Sequence, residues 1–290
     1  MRPHQGPRRG RRPRRGRLHA VHPRLRPGSR PDEGLRPHGQ GGRGRAPGLP
    51  RRQPPREAGM SSRGDHVAIA CAEAFRGDGA IMASGMGPMP ALGAKLARAT
   101  LEPMLILTDG VATMLDDDGA AEGWMPYARV FDTLWTGARH VMMGASQIDR
   151  HGNQNISCIG PHARPKVQLL GARGAPGNTI HHPTSYFVGR HNSRVFIEQV
   201  DMVSGIGPSR GAFEIRRVIT NLCVMDTGGP DGTLRVVALH PGVSIEDVQA
   251  ATGFELAVAD QVAETRAPTD EEAAVLEQLD PGGKIRGSIQ

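Results

Sequence analysis

Short apolar runs alternate with longer amphipathic segments through most of the chain. Residues 80–83 are all apolar and predict a buried strand, while Leu92 and Leu96 recur at one-turn spacing and predict a helix over 91–100. The same alternation predicts a strand over 104–107, a helix over 126–137 and a strand over 140–148. Strands and helices in this order predict an α/β domain with a largely parallel sheet.

Apolar and β-branched runs lie closer together beyond residue 165. They occupy 167–170, 185–189, 195–204, 217–225 and 234–239. Ser244 then precedes a polar and apolar stretch of helical character, so we expect it to cap a helix. The crowding predicts that this half of the sheet is mixed rather than purely parallel.

The first 59 residues differ in composition from the rest. They contain 17 Arg, no Lys, 11 Gly, 11 Pro and no Phe, Trp or Tyr. Such a segment cannot bury enough apolar surface to offset the entropy of ordering, so we predict disorder over 1–59 and one folded domain over 60–290. The folded part carries 19 basic and 26 acidic residues and is therefore acidic, with a net charge of −7, so the whole-chain charge of +7 arises from a tail of +14.

Three interpretations of this tail are open. An Arg-rich arm can bind nucleic acid through phosphates, or can be an organelle-targeting segment. The lack of aromatic residues and the many prolines argue against both. The favoured interpretation is a spurious extension upstream of Met60, because Arg, Gly and Pro all have G/C-rich codons. We therefore expect no nucleic-acid partner.

Cysteine spacing and hydropathy restrict the cellular compartments in which we expect the protein. Cys71, Cys158 and Cys223 are few, odd in number and far apart, which argues against a disulfide framework and against a CxxC metal site. No apolar run approaches the roughly 18–20 residues that span a bilayer. We expect a cytoplasmic protein without a membrane partner.

Polar residues follow several of the predicted strands. Asp109 ends one strand, and the segment beginning at Asp149 contains Asn153 and Asn155. Ligands gather at the carboxyl ends of strands in open α/β sheets, where a carboxylate can act as general base or nucleophile. Turn formation is the alternative role for both aspartates.

A glycine-rich segment at 171–178 follows the run at 167–170. Glycines let consecutive backbone N–H groups approach a ligand, so the amides of Gly171, Ala172, Gly174 and Ala175 are candidate donors to an oxyanion. A simple chain reversal is the competing interpretation.

Histidines follow this segment. His181, His182 and His191 suggest a metal, but the adjacent pair lacks helical i, i+4 spacing and an acidic or cysteine partner nearby. We expect no metal site.

Six segments in order resemble one family. They are 108–111, 148–155, 171–178, 194–201, 240–243 and 252–254. The chain resembles the β subunit of family I CoA-transferases of the glutaconate or 3-oxoacid type. That resemblance implies a three-layer α/β domain, an α-type partner chain in a heterodimer or α2β2 assembly, an acyl-CoA substrate, and an active site where the two chains meet.

Two positions depart from the transferase pattern. Asp109 stands where the transferases have a nucleophilic glutamate before glycine, and a carboxylate withdrawn by about 1.5 Å puts ordinary CoA transfer in doubt. Arg173 stands in the glycine-rich segment where the transferases have a small residue. Both departures, with the sequence of 174–185, resemble the actinobacterial steroid-ring-cleaving branch of the family.

This branch, which acts in cholesterol catabolism, implies hydrolytic C–C cleavage that opens the last steroid ring, carried as a cyclic β-keto acyl-CoA with a carboxylate side arm. Asp109 is then a candidate base, unless the partner supplies a glutamate, and Arg173 is a candidate for binding a substrate carboxylate. Asn153, Asn155, Asn178 and His182 are candidates for the substrate pocket. The scheme needs no cofactor, since CoA is part of the substrate. CoA transfer by a β subunit is the alternative function, and nucleic-acid binding through the tail is a third.

Overall fold

A computed structural model describes residues 61–109, 113–116 and 118–290. The segment predicted to be disordered, 1–59, lies outside these residues. The helices are α1 (Arg63–Glu73), α2 (Pro88–Thr100), α3 (Tyr127–Thr136), α4 (Ala175–His181), α5 (Ile245–Ala250) and α6 (Asp270–Leu279). The first strands are β1 (Met82–Gly85), β2 (Ile106–Thr108), β3 (Thr113–Leu115), β4 (Ala121–Trp124), β5 (Arg139–Gly144), β6 (Gln147–Ile148) and β7 (Gln154–Asn155). The others are β8 (Cys158–Ile159), β9 (Val167–Gln168), β10 (Pro183–Val188), β11 (Glu214–Thr220), β12 (Cys223–Asp226), β13 (Arg235–Leu239) and β14 (Ala257–Glu264).

The described residues form a ten-stranded sheet with the order β14-β13-β12-β11-β10-β5-β1-β2-β3-β4. The five central strands, from β11 to β2, run parallel to one another. Antiparallel pairs flank them, and β13 pairs with β14 in parallel. The predicted α/β class with a largely parallel sheet is confirmed. The sheet is mixed at both ends of the strand order and not only after residue 165, because β2, β3 and β4 also pair antiparallel.

Side chains alternate between two apolar layers across the sheet. Met142 of β5 packs into a core with α1, α2 and α6. Its neighbours Val141 and Met143 pack into a second core on the other face, which also includes Ala175 of α4 and Val248 of α5. Because successive strand residues point to opposite faces, one strand serves both cores. The sheet therefore lies between two covering layers, as the family resemblance implies.

Local sequence explains where several helices begin. Ser244 accepts from the amide of Asp247, whose carboxylate accepts from the Ser244 amide in return, and this capping box confirms the predicted cap of α5. Ser62 and Asp65 form the same arrangement at α1. Helix α1 was not predicted, because nine consecutive residues from Gly64 to Ala72 are buried and leave no amphipathic period.

Three apolar runs differ from their prediction. The run at 195–204 forms no strand, because Phe196 and Val200 bury their side chains while the backbone pairs with β6 at a single bridge. The run at 217–225 is broken by Asn221 and Leu222 into the antiparallel strands β11 and β12. The run at 140–148 is likewise split, into β5 and β6.

The glycine-rich segment is only partly a loop. Residues 171–174 form turns, but α4 begins at Ala175, with Pro176 in its first turn and Gly177 inside it. Proline is favoured at the start of a helix because its missing N–H would have no partner there. No helix in the described part of the chain is long and apolar enough to cross a membrane.

Candidate active site

A row of polar side chains crosses the central strands on the face covered by α4. Ser84 of β1 lies opposite Thr108 of β2 in the parallel register, and their hydroxyl oxygens are 3.0 Å apart. Arg139, at the start of β5, donates from Nε to Ser84 Oγ at 2.9 Å and from Nη1 to Asn178 Oδ1 at 3.3 Å. The polar row, Thr108-Ser84-Arg139-Asn178, thus connects α4 to β2, the strand that Asp109 follows.

Arg139 is a buried cation. Only 3% of the surface of Arg139 is exposed, and burial lowers the pKa of its guanidinium to about 10. It forms no ion pair with any carboxylate in the described part of the chain, and its guanidinium donates instead to a hydroxyl and to an amide oxygen. A guanidinium at this pKa is still charged at neutral pH, so the polar row carries a positive charge.

Asp109 lies at the exposed end of this row. Its amide donates to Thr113 O at 3.0 Å, and the Thr113 amide donates to Asp109 Oδ1 at 3.1 Å, so two hydrogen bonds link the end of β2 to the start of β3. Asp109 therefore has the role of a turn residue, and its side chain is at the same time exposed at the carboxyl end of a parallel strand. Both alternatives from the sequence are compatible with this position.

The predicted oxyanion segment has fewer available amides than expected. Gly171 N donates to Ile156 O at 3.2 Å and Ala175 N donates to Ala172 O at 3.0 Å, so these two amides are occupied within the chain. The amides of Ala172 and Gly174, and that of Arg173, donate to no other described residue. The number of candidate donors falls because the turn uses its own N–H groups to enter α4.

Arg173 has an unusual backbone conformation. Its φ is +48°, in the left-handed region that non-glycine residues rarely adopt, and Gly174 follows at φ −84°, ψ −2°. A left-handed residue followed by a right-handed one turns successive amides toward one point, which is the geometry of an anion-binding nest. The Arg173 side chain is exposed and bonds to no other described residue. Among the predicted site residues, Arg173 has the strained conformation typical of functional turns.

Asn153 and Asn155 stabilise turns. Asn153 Nδ2 donates to both oxygens of Asp149, and its Oδ1 accepts from the Gly207 amide at 2.9 Å. Asn155 Nδ2 donates to Gln147 Oε1, while its Oδ1 accepts from the Ser157 amide. Since both side chains are buried and both amide ends are used, each has a structural role. Neither is connected by a hydrogen bond to the polar row.

The histidines lie in separate environments. His182 is buried at the end of α4 and donates its amide to Asn178 O at 2.9 Å. His181 contacts the ring of Trp135, with centroids 4.8 Å apart. His191 bonds to Thr220 and Thr252 and stacks on Phe196, and burial lowers its pKa to about 4. No group of three metal-binding side chains lies together in the described residues.

A second polar constellation lies on the opposite face of the sheet. His140 Nδ1 is 2.6 Å from Asp78 Oδ2, and His140 Nε2 is 2.9 Å from Ser185 Oγ. Arg216 also bonds to Asp78. This order of groups resembles a catalytic triad, but all three side chains are shielded from solvent. Burial is also the main reason that the His140 pKa is lowered. The constellation is therefore part of the packed core.

Sequence reasoning missed Ser84 and Arg139. Both lie in apolar strand patterns, and the prediction began the strand at His140, one residue after the arginine. The sequence signal for these two residues was a polar side chain among buried strand positions, because such side chains are either paired or functional. Asn178, predicted as a pocket residue, is the one the structure connects to them.

Relatives of the chain are found by sequence and by structure. No family model matches the chain. It is 52% identical over 235 residues, 76% of this chain and 93% of the relative, to the cholesterol ring-cleaving hydrolase IpdB subunit of Rhodococcus jostii (strain RHA1). It is 30% identical to the B subunit of the 3-oxoadipate CoA-transferase of Pseudomonas knackmussii, with 76% and 93% coverage.

The structural comparison agrees with the sequence comparison. The crystal structure of Rhodococcus jostii RHA1 IpdAB matches with a TM-score of 0.75 and 49% identity, over 80% of this chain and 99% of that chain. The chain belongs to the family of cholesterol ring-cleaving hydrolase IpdB subunits, and with them to the wider family of CoA-transferase B subunits.

Proposed function

We propose that this chain is the B-type subunit of a two-subunit enzyme that opens a ring of a steroid-derived acyl-CoA by hydrolysing a C–C bond. The observation that carries the proposal is the 52% identity to a cholesterol ring-cleaving hydrolase subunit, along nearly the whole length of that relative. The 30% identity to a CoA-transferase subunit supports a CoA thioester as the substrate.

The proposed reaction is a retro-Claisen cleavage of a cyclic β-keto thioester. A base removes a proton from water, and the oxygen bonds to the ketone carbon to form a tetrahedral oxyanion. The oxyanion collapses, and the C–C bond breaks with its electron pair moving into the thioester enolate. The enolate takes a proton at its α-carbon from the protonated base, which is thereby restored. The product is a single ring-opened chain that carries a new carboxylate, formed from the ring ketone, and still carries the CoA thioester.

Asp109 is the candidate base within this chain. Its carboxylate is exposed at the end of β2, where ligands bind in parallel sheets. The exposed position suits contact with water and with a second chain. A glutamate of the partner subunit is the alternative base, and Asp109 then has only its turn role.

The turn at 172–174 is the candidate site for the thioester oxygen. The amides of Ala172, Arg173 and Gly174 have no acceptor among the described residues, and the left-handed Arg173 gives them the shape of a nest. Donors fixed by the fold before the reaction stabilise an enolate oxygen without reorganising. The scheme needs no cofactor, because CoA enters as part of the substrate.

An apolar surface around α4 is an argument for a partner chain. Leu170, immediately before the turn, is 80% exposed, and Trp135, against His181, is 67% exposed. Ile180 lies on α4, and Phe213 donates its amide to Thr179 O of the same helix. Exposed apolar side chains grouped in this way mark interaction sites. We assign this surface, Trp135-Leu170-Ile180-Phe213, to the A-type subunit.

The compartment is part of the same proposal. Cys71, Cys158 and Cys223 are buried free thiols, and burial raises the pKa of Cys71 and Cys223. Unpaired cysteines are the rule in reducing compartments. We place the enzyme in the cytoplasm.

Acceptor dependence separates hydrolysis from CoA transfer. The purified two-subunit complex is incubated with a cyclic β-keto acyl-CoA, with and without a free acceptor acid, and CoA esters are followed by mass spectrometry. The proposal predicts the same rate of ring opening in both cases. CoA on the acceptor, with the ring intact, would show that the chain is a transferase subunit with Asp109 as its nucleophile.

A further inference from the structure

Arg139 and Asn178 present more hydrogen-bond donors than the chain around them accepts. A guanidinium has five N–H groups. One on Nε donates to Ser84 Oγ and one on Nη1 donates to Asn178 Oδ1, and the others donate to no described residue. The residue is 3% exposed, so bulk water does not surround these groups.

Asn178 adds donors to the same place. Only 1% of the surface of Asn178 is exposed, and its Nδ2 is buried without a hydrogen-bond partner in the described structure. The orientation of this amide is set by Arg139, because a guanidinium has no acceptor and so must face the oxygen. The nitrogen therefore points away from Arg139 with its N–H groups unused. Buried donors of this kind normally have partners.

The other deeply buried arginine of the described chain has carboxylates beside it. Arg286 donates to Asp65 Oδ1 at 2.8 Å and to Asp280 Oδ2 at 3.1 Å. Burial of a charge is costly unless the charge is paired. Arg139 is as buried as Arg286 and lacks such a partner within the described residues. The missing acceptor is therefore expected to come from a molecule outside this chain.

The position of Arg139 relates it to the reaction. The polar row continues from Arg139 through Ser84 to the half-buried Thr108 and ends beside the exposed Asp109. The row thus leads from the surface, at the candidate base, to the unpaired donors. A guanidinium fork with a neighbouring amide nitrogen fits a planar, two-oxygen anion.

We propose that Arg139 and Asn178 bind the carboxylate that ring opening releases from the ketone carbon. This inference rests on the proposed function, in which water and the ring ketone supply the two oxygens of that carboxylate. The ketone oxygen carries the negative charge of the tetrahedral intermediate and then becomes a carboxylate oxygen. Donors that bind the product therefore also stabilise the intermediate, and Arg139 is a catalytic residue for the ketone half of the substrate.

Two alternatives to this carboxylate site make different predictions. Arg173, which the sequence suggested for a carboxylate, is exposed and lies on the thioester side of the scheme. An acidic side chain of the A-type subunit could also pair with Arg139. In the first case Arg173 determines the preference for an acid, and in the second Arg139 is needed for assembly rather than for binding of the product.

Binding measurements on the complete two-subunit complex separate these cases. The probes are the ring-opened acyl-CoA with its free carboxylate and the same compound with a carboxamide in that place, and affinities are measured by calorimetry. We expect the wild type to prefer the acid by about ten- to a hundredfold, the range of a charge-assisted hydrogen bond. Arg139→Met should abolish the preference. The control Arg76→Met, an exposed arginine just after α1 at the other face, should retain it.

A second variant tests the proposal even if Arg139→Met fails to fold. Asn178→Asp places a carboxylate of nearly the same shape 3.3 Å from Arg139 Nη1. It should raise the melting temperature of the complex and abolish the preference for the acid, because the site then holds its own anion. A merely structural hydrogen bond between Arg139 and Asn178 would leave the preference intact.

Several outcomes would overturn the proposal. They are an acid preference that survives either Arg139→Met or Asn178→Asp, a preference lost only in Arg173→Met, and failure of an Arg139→Met chain that still folds to assemble with the A-type subunit. Because binding is measured without turnover, this test is independent of the proposed function. A complex that prefers the acid through Arg139 but opens no ring would refute the reaction and leave the site in place.

Discussion

The backbone amide of Thr113, the first residue of β3, donates to Oδ1 of Asp109, which directly follows β2, at 3.1 Å. The same carboxylate is thus a turn acceptor and the candidate base. An asparagine side chain at this position keeps the oxygen that Thr113 needs and removes the charge. We expect Asp109→Asn to lower kcat by at least about a hundredfold, the usual effect of removing a general base, in a chain that stays folded at the assay temperature.

Steady-state ring opening and thermal unfolding of the same preparation check this expectation. Asp109→Glu serves as the control, since it keeps the charge and lengthens the side chain by one methylene. Full activity in Asp109→Asn would assign the base to the partner subunit and leave Asp109 only its turn role.

Arg286 holds the C-terminal segment against α1. Its guanidinium pairs with Asp65 and Asp280, and all three side chains are almost fully buried. We expect Arg286→Met to lower the free energy of unfolding by about 3–5 kcal/mol, because two buried carboxylates lose their shared positive charge. Arg76→Met, which removes an exposed pair with Glu73, should change it by less than about 1 kcal/mol. Urea unfolding of both variants gives the comparison, and equal small effects would contradict it.

Stability should depend on pH through two buried histidines. Burial lowers the pKa of His191 and of His240 to about 4. Both stay neutral in the native state, whereas the unfolded chain takes up their protons near pH 6.5. The free energy of unfolding should therefore be level above about pH 6.5 and fall toward pH 4, by on the order of 3 kcal/mol for each histidine.

Nuclear magnetic resonance tests the same point residue by residue. The imidazole signals of His191 and His240 should show no titration between pH 7 and pH 5. A midpoint above pH 6 for either signal would contradict the assigned burial. Replacing His191 by Asn should make the loss of stability below pH 6.5 less steep.

The surface Trp135-Leu170-Ile180-Phe213 should be required for assembly. Leu170→Glu adds a charge at an 80% exposed position next to the turn at 172–174. We expect this variant to fold alone and to fail to co-purify with the A-type subunit, because a charge would be buried without a partner. Val258→Glu is the matched control, since Val258 is exposed on β14 at the far edge of the sheet. Assembly of both variants would exclude this surface as the interface.

The sequence predicted the fold class because the central strands are buried on both faces and read as short apolar runs. It placed the cap of α5 correctly, since Ser244 and the residues after it carry a local signal that does not depend on packing. It failed at 195–204, where Phe196 and Val200 contribute apolar side chains to the core without a strand. Periodicity cannot distinguish burial from pairing with a neighbouring strand.

The site was harder to predict than the fold. Asp109 and Asn178 were identified from their neighbours in sequence, but their connection runs through Ser84 and Arg139, which only strand register brings together. The free amides of 172–174 depend on which N–H groups the turn itself uses, and no composition rule gives that. The pocket role of Asn153 and Asn155 stays a prediction, and the sequence alone did not show that their side-chain amides bond to Asp149 and Gln147.

The most direct test of the account follows the oxygen of water. The two-subunit complex is incubated in ¹⁸O-water with a cyclic β-keto acyl-CoA, and the products are analysed by mass spectrometry. Hydrolytic C–C cleavage predicts one ¹⁸O atom in a new carboxylate while CoA stays attached to the ring-opened product. Release of free CoA with ¹⁸O in the former thioester carboxyl group, and an intact ring, would contradict it.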